Sequence, residues 1–194
     1  SQVIGIDIRN SRPIDIRDLE ALREACKGAE TIFHLAAISS TKDCLADPQG
    51  AISTNMTGTQ NVFQVAAENG AKVVFTSSAA IYGDSEEDCF EQQIPRPIHT
   101  DPYANTKYQG ELISKEFFSV ASCCVRLFNV YGKGARFDSC INQFLTAIDM
   151  EATISINGNG QQIRDFIYID DVIEALVKVE QLLHYKQYPM VLNI

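Results

Sequence analysis

The sequence predicts an α/β fold, a doubly wound parallel sheet, on three observations. Short runs such as Val73-Val74-Phe75 and Cys123-Cys124-Val125 are apolar on both faces, so a sheet built from them has no wet side. Longer stretches with helical spacing, such as Asp18–Lys27, Thr54–Asn69 and Pro102–Phe118, separate those runs. Gly28 and Gly70 stand where helices stop. Strand, helix, strand in repetition means right-handed crossovers and a sheet covered on both sides.

Taken in order, Val3 to Ile6 reads as a strand ending at Asp7. Asp18 is an N-cap for the helix to Lys27, and Thr31 to Leu35 is the next strand. The helix Thr54–Asn69 leads to a strand from Lys72 to Ser77. Pro102 fits the first turn of the helix that runs to Phe118, and Ser122 to Phe128 is a further strand. After Tyr131 the pattern weakens. Gly132-Lys133-Gly134 and Asn157-Gly158-Asn159-Gly160 are turns, and Asp170-Asp171 caps a helix from Val172 to about Leu183. Val191 to Ile194 reads as a strand. The expected division is a sheet domain over residues 1–131 and a mixed segment over 132–194, which contributes to a smaller substrate lobe and the last strands.

A dinucleotide-binding sheet opens with a strand, a glycine-rich turn and a helix. The eleven glycines contain neither GxGxxG nor GxxGxxG. The first βα unit is therefore expected upstream of Ser1, and the C-terminal end beyond Ile194. Asp7 stands where a carboxylate would accept hydrogen bonds from an adenosine ribose. Asn10-Ser11-Arg12-Pro13 joins the second and third strands tightly.

Composition narrows the partners. Of 194 residues 45% are hydrophobic and 21% charged, as in ordinary globular proteins. A net charge of −9 without a basic stripe argues against nucleic acid. No apolar run approaches the about 20 residues of a membrane helix, and no signal-peptide pattern opens the chain. The six cysteines form no CxxC pair and no zinc spacing, so no metal is expected. Free thiols suit a reducing compartment, and a cytoplasmic location is expected.

The chemistry lies in two elements. Tyr103 and Lys107 are four apart on a helix, hence stacked on one face. An ammonium beside a phenol favours the phenolate and makes Tyr103 a general base or acid. Thr76-Ser77-Ser78 follows the strand Val73-Val74-Phe75, at the sheet end where ligands bind, and a serine hydroxyl there suits a substrate oxygen.

Ser78, Tyr103 and Lys107 resemble the Ser/Tyr/Lys triad of short-chain dehydrogenases. The surrounding words resemble the extended branch, the NAD-dependent epimerase/dehydratase family, whose fold is Rossmann-type. His34-Leu35-Ala36-Ala37 is similar to the family's strand end beside the cofactor, and Asn55-Met56-Thr57-Gly58-Thr59 to its NxxGT helix. Asp15-Ile16 looks like the pair beside the adenine. Arg126 to Gly132 resembles the strand whose Phe128 and Asn129 meet the nicotinamide and the sugar nucleotide. Arg164-Asp165-Phe166-Ile167-Tyr168 is similar to the segment whose arginine contacts the substrate diphosphate. No single match is specific; their shared order from Val3 to Ile194 is.

The resemblance implies NAD as cofactor and a nucleotide sugar as substrate. Thr76-Ser77-Ser78-Ala79-Ala80-Ile81-Tyr82-Gly83 has Ala79 where dehydratases and decarboxylases carry an acid, which points to 4-epimerisation of a UDP-hexose. In that chemistry Tyr103 removes the 4-hydroxyl proton, a hydride leaves C4, and the 4-keto sugar turns over and is reduced on its other face. Ser78 holds the C4 oxygen; Asn129 and Arg164 anchor the diphosphate. The resemblance also implies a homodimer through Thr54–Asn69 and Pro102–Phe118. A dehydratase, decarboxylase or reductase of the same family, or a non-catalytic scaffold that keeps the fold, stay open. Among the remaining residues, His34 reads as packed, His99 as a loop residue, Tyr82 as core or substrate-stacking, and Phe117-Phe118 as core.

Overall fold

The computed structural model describes residues 2–9, 13–85, 87–156, 158–186 and 189–194. Asp18 caps helix α1 (Leu19–Ala25) by accepting the Ala21 N–H, and Gly28 follows it with φ +72°. Strand β1 (Thr31–His34) comes next. Helix α2 (Thr41–Ala46), capped by Ser40, lies where no helix is expected from the sequence. Helix α3 (Pro48–Ile52), a π-helical turn (Ser53–Thr57) and α4 (Gly58–Asn69) form one continuous helical run. The helix expected from Thr54 thus begins six residues earlier, with Asp47 as its cap and Pro48 in its first turn. Gly70 ends it in the left-handed region (φ +65°), and its N–H bonds to the last carbonyls.

Strand β2 (Lys72–Ser78) runs into a 3₁₀ turn (Ala79–Tyr82). Helix α5 (Pro102–Glu116) precedes β3 (Ser122–Leu127) and β4 (Asn129–Tyr131). The amphipathic α6 (Cys140–Asp149), also not anticipated, is followed by β5 (Phe166–Tyr168), α7 (Ile169–Leu182) and β6 (Met190–Asn193).

Four strands pair in parallel in the order β1-β2-β3-β6, and β4 pairs in parallel with β5. Residue alternation sorts the sheet's two faces. Val73, Phe75 and Cys124 join Leu22, Val62, Phe63, Val65 and Ala66 from the helices of one layer. Val74, Cys123 and Val125 face Val179 and Leu183 at the α7 end on the other. The chain after Tyr131 therefore returns to cover and extend the main sheet through α7 and β6.

Three expectations are corrected. Val3–Ile6 forms no strand: Val3 and Ile4 are exposed and only Ile6 packs against the core, so the stretch lacks the two-sided burial that its apolar run predicts. Phe118 is exposed: the chain reverses after α5, Phe117 takes the inward position against Phe63 (ring centroids 5.9 Å apart), and its neighbour points out. Asp170 and Asp171 lie inside the first turn of α7, where they favour the positive end of the helix without capping it; Tyr168 is the N-cap residue. The junction at Asn10-Ser11-Arg12 and the turn residue Asn157 fall outside the described residues. Among the described residues no helix is long and apolar enough to cross a membrane.

The approach of α5 to β2 depends on a glycine. A Cβ at Gly110 of α5 would lie 2.5 Å from the Phe75 ring of β2, which is itself buried. Gly110→Ala is expected to lower stability by about 1–2 kcal/mol, overpacking outweighing the gain in helix propensity, as read from the shift in denaturant midpoint.

Candidate active site

The site forms where β1, β2 and β3 end and α5 begins. Asp101 caps α5 by accepting the N–H groups of Tyr103 (3.0 Å) and Ala104 (3.2 Å), and Thr41 donates its hydroxyl to the same carboxylate oxygen (3.0 Å). Pro102 occupies the first turn, where its missing N–H costs nothing. This start places Tyr103 at the positive end of the helix and Lys107 one turn deeper. On the other side, Ser78 closes β2 and accepts the Ala80 N–H at 3.2 Å, which orients its hydroxyl as the strand turns away.

Ser78, Tyr103 and Lys107 line one cavity of about 310 Å³ together with Leu35, Ala37 and Phe128. Thr76, Ser77, Leu127 and Val130 complete much of its wall. Lys107 is buried. Its Nζ donates to the Thr76 carbonyl at 2.7 Å and lies 5.0 Å from the centre of the Phe75 ring. Burial pulls its pKa down to about 8. Burial also pushes the Tyr103 phenol up, opposed by the neighbouring Ser78 hydroxyl. The expectation that Lys107 lowers the Tyr103 pKa is thus corrected for this geometry. The ammonium is directed at Thr76, and desolvation of the phenol outweighs the rest.

Other predicted residues act from behind the cavity or stand away from it. Asn55 is buried in the π-helical turn. Its side chain accepts the Ile38 N–H (2.8 Å) and donates to the Ile38 carbonyl (3.0 Å) and the Thr106 hydroxyl (3.0 Å). It therefore holds the segment after β1 against α5 without lining the cavity. Ala36 is not among the lining residues. Ile16 is buried against Gly58, and Asp15 is held by Arg17, whose backbone N–H (2.9 Å) and guanidinium both donate to it. Asp7 is likewise engaged by Arg9, which keeps its carboxyl below the usual range. Asn129 ties β4 to the Asp165 carbonyl at 2.9 Å, and Arg164 is exposed, bonding the Ile163 carbonyl.

Sequence reading passed over Asp101 and the Thr76 carbonyl. The Asp-Pro pair before a helical run is an N-cap signal that could have found the first. Nothing local marks a backbone carbonyl as the partner of a lysine thirty-one residues away.

A parallel α/β sheet with a serine at a strand end facing a Tyr-x-x-x-Lys helix is the arrangement of the short-chain dehydrogenase/reductase class. Within it, the chain belongs to the NAD dependent epimerase/dehydratase family, whose model matches residues 2–194. It is 32% identical over 179 residues to a UDP-glucuronate 4-epimerase of Thermodesulfobacterium geofontis, covering 89% of this chain and 55% of that protein. Its backbone is similar to MoeE5 in complex with UDP-glucose and NAD (TM-score 0.86, 29% identity), covering 94% of this chain and 62% of that one. It is also similar to a UDP-N-acetylglucosamine 4-epimerase from Methanobrevibacter ruminantium M1 (TM-score 0.85, 29% identity, 94% and 60% covered). Dehydratases and decarboxylases are among the related proteins too. The chain spans about half the length of the curated relatives it matches.

His34 packs as expected, against Phe75 with ring centroids 5.4 Å apart. Thr59 donates to the Asn55 carbonyl, so the 2.9 Å contact between Thr59 Oγ1 and His34 Nε2 requires the proton on Nε2. Burial, then the charge of Lys107, lowers the His34 pKa to about 3. The unfolded chain takes up this proton near pH 6.5 and the folded chain does not, so stability is lost as pH falls below 6.5. Between pH 6.5 and 5 the wild type should lose about 2 kcal/mol more than His34→Gln, read by denaturant titration at both values.

Proposed function

We propose that this chain carries the catalytic core of an NAD-dependent nucleotide-sugar 4-epimerase, with a UDP-hexose as substrate. The observation that carries the reading is the meeting of Ser78, Tyr103 and Lys107 on one cavity at the strand ends. Ala79 after Ser78 supports epimerisation over elimination or decarboxylation, since no carboxylate follows the serine in that phrase.

The donor set suits the nicotinamide end of the cofactor. Lys107 spends one N–H on Thr76 and keeps two for ribose hydroxyls, and Leu35, Leu127, Phe128 and Val130 offer apolar surface to a flat ring. Asp7, Asp15, Ile16, Ala36, Ala37 and Asn55 are assigned to the adenosine side and to the strand end that supports it. The glycine turn that would hold a pyrophosphate is absent from these 194 residues. NAD, when bound, supplies the acceptor and donor of hydride.

The residues of this chain move and hold the proton. Tyr103 takes the proton of the sugar 4-hydroxyl and returns it after the 4-keto sugar has presented its other face. Ser78, which lines the same cavity as Tyr103, holds the C4 oxygen in both half-reactions. Lys107 places positive charge in the buried floor, where it favours the phenolate once its ammonium is shared with a ligand. Asn129 and Arg164 are assigned to the nucleotide diphosphate, which requires the exposed Arg164 to swing from the Ile163 carbonyl. A homodimer through the helices containing residues 54–69 and 102–118 is part of the same reading.

Incubation of the full chain with UDP-galactose and NAD+ is expected to interconvert the sugars without net NADH. Tyr103→Phe should lower the rate roughly 10²–10⁴-fold while NAD binding persists. Net NADH, or a dehydrated or decarboxylated product from another nucleotide sugar, would move the chain to a sister reaction. No turnover with any nucleotide sugar despite bound NAD would favour a scaffold.

A further inference from the structure

The cavity does not account for a buried ion pair behind it. Glu111 of α5 and Arg126 of β3 are 1% and 3% exposed. The guanidinium meets the carboxylate edge to edge, Nε to Oε1 at 2.9 Å and Nη2 to Oε2 at 2.8 Å. Three further groups complete it. Ser77 donates its hydroxyl to Glu111 Oε1 at 2.6 Å, and Arg126 Nη1 donates to the Tyr82 phenol at 2.7 Å and the Glu91 carbonyl at 3.3 Å. Tyr82 donates its hydroxyl to Asn193 Oδ1 at 2.7 Å, and Asn193 donates its backbone N–H to the Glu91 carboxylate and its side-chain amide to the Cys89 carbonyl.

Stability alone is a poor account of such a pair. Desolvating both ions costs several kcal/mol each, and well-packed apolar residues serve a core as well. Its position is more informative. Ser77 is the residue before Ser78. Glu111 lies one helical turn beyond Lys107 and two beyond Tyr103, on the same face of α5. A planar fork fixes distance and angle together, which a single contact does not.

We propose that Glu111 and Arg126 are positioning residues that lock the end of β2 to α5 and so set the Ser78–Tyr103 spacing, with Tyr82 and Asn193 carrying the lock to the Cys89–Glu91 segment. This role presupposes that Ser78 and Tyr103 are the reacting pair.

The test uses Ser77→Ala, which deletes one hydroxyl, and Arg126→Lys, which keeps the charge and loses the fork, both in the full chain. One readout needs no turnover: the tyrosinate absorbance titration of Tyr103, isolated by subtracting that of Tyr103→Phe. Loosening the lock moves the Ser78 hydroxyl, which lowers the Tyr103 pKa, away from the phenol, so the Tyr103 midpoint should rise by about one unit in both variants. With the nucleotide sugar, kcat should fall roughly ten- to a hundredfold while KM stays within about threefold. A lower melting temperature with unchanged Tyr103 midpoint and kcat would overturn the proposal and leave a core ion pair. Should Arg126→Lys not fold, Ser77→Ala decides by the same readouts. If the wild type turns over no nucleotide sugar, the epimerase reading fails, and the titration still decides whether the pair sets this spacing.

Discussion

The packing of α5 against β2 is the constraint on which the rest of this structure depends. Gly110 lets the helix approach the Phe75 ring, Lys107 spans the gap to the Thr76 carbonyl, and Glu111 takes the Ser77 hydroxyl one turn further on. These three contacts bring a serine from a strand and a tyrosine from a helix to one cavity. Neither residue is unusual alone. What sets them apart is being held together, at the end of a sheet whose strands run the same way.

The same packing explains the electrostatics. A cation buried against His34, Phe75 and the Thr76 carbonyl is partly destabilised, and so would be a phenolate beside it. Burial thus favours the neutral form of both groups, lowering the proton affinity of Lys107 and raising that of Tyr103. His34 stays neutral beneath them, its proton fixed on Nε2 by Thr59. The network through Thr59, Asn55 and Thr106 ties the segment after β1 to α5 without using a charge.

Beyond β3, strands β4 and β5 form their own small sheet, joined by Asn129 to Asp165. Helix α6 has a strong apolar side and no buried residue, with Leu145 and Ile148 exposed. Arg136 links this region to α2 by its ion pair with Asp43 at 2.7 Å. An exposed pair of this kind contributes little by itself, and its interest lies in the elements it connects.

What the sequence by itself determined was the periodic part of this protein. Apolar runs of strand length, helices with their caps at Asp18 and Gly70, and the Tyr103/Lys107 spacing follow from local geometry that a reader can count. The parallel sheet follows from strands that have no polar face. Only the tertiary structure decided that Val3 and Ile4 stay exposed, that Phe117 turns in and Phe118 out, and that the helix at Thr54 begins at Pro48. It also decided that Asn55 supports the cavity from behind, that Lys107 faces a carbonyl, and that Ser77, Glu111 and Arg126 form one unit. The physical reason is common to all of these. They are contacts between residues far apart in the chain, and pattern records only what neighbours within a few residues require.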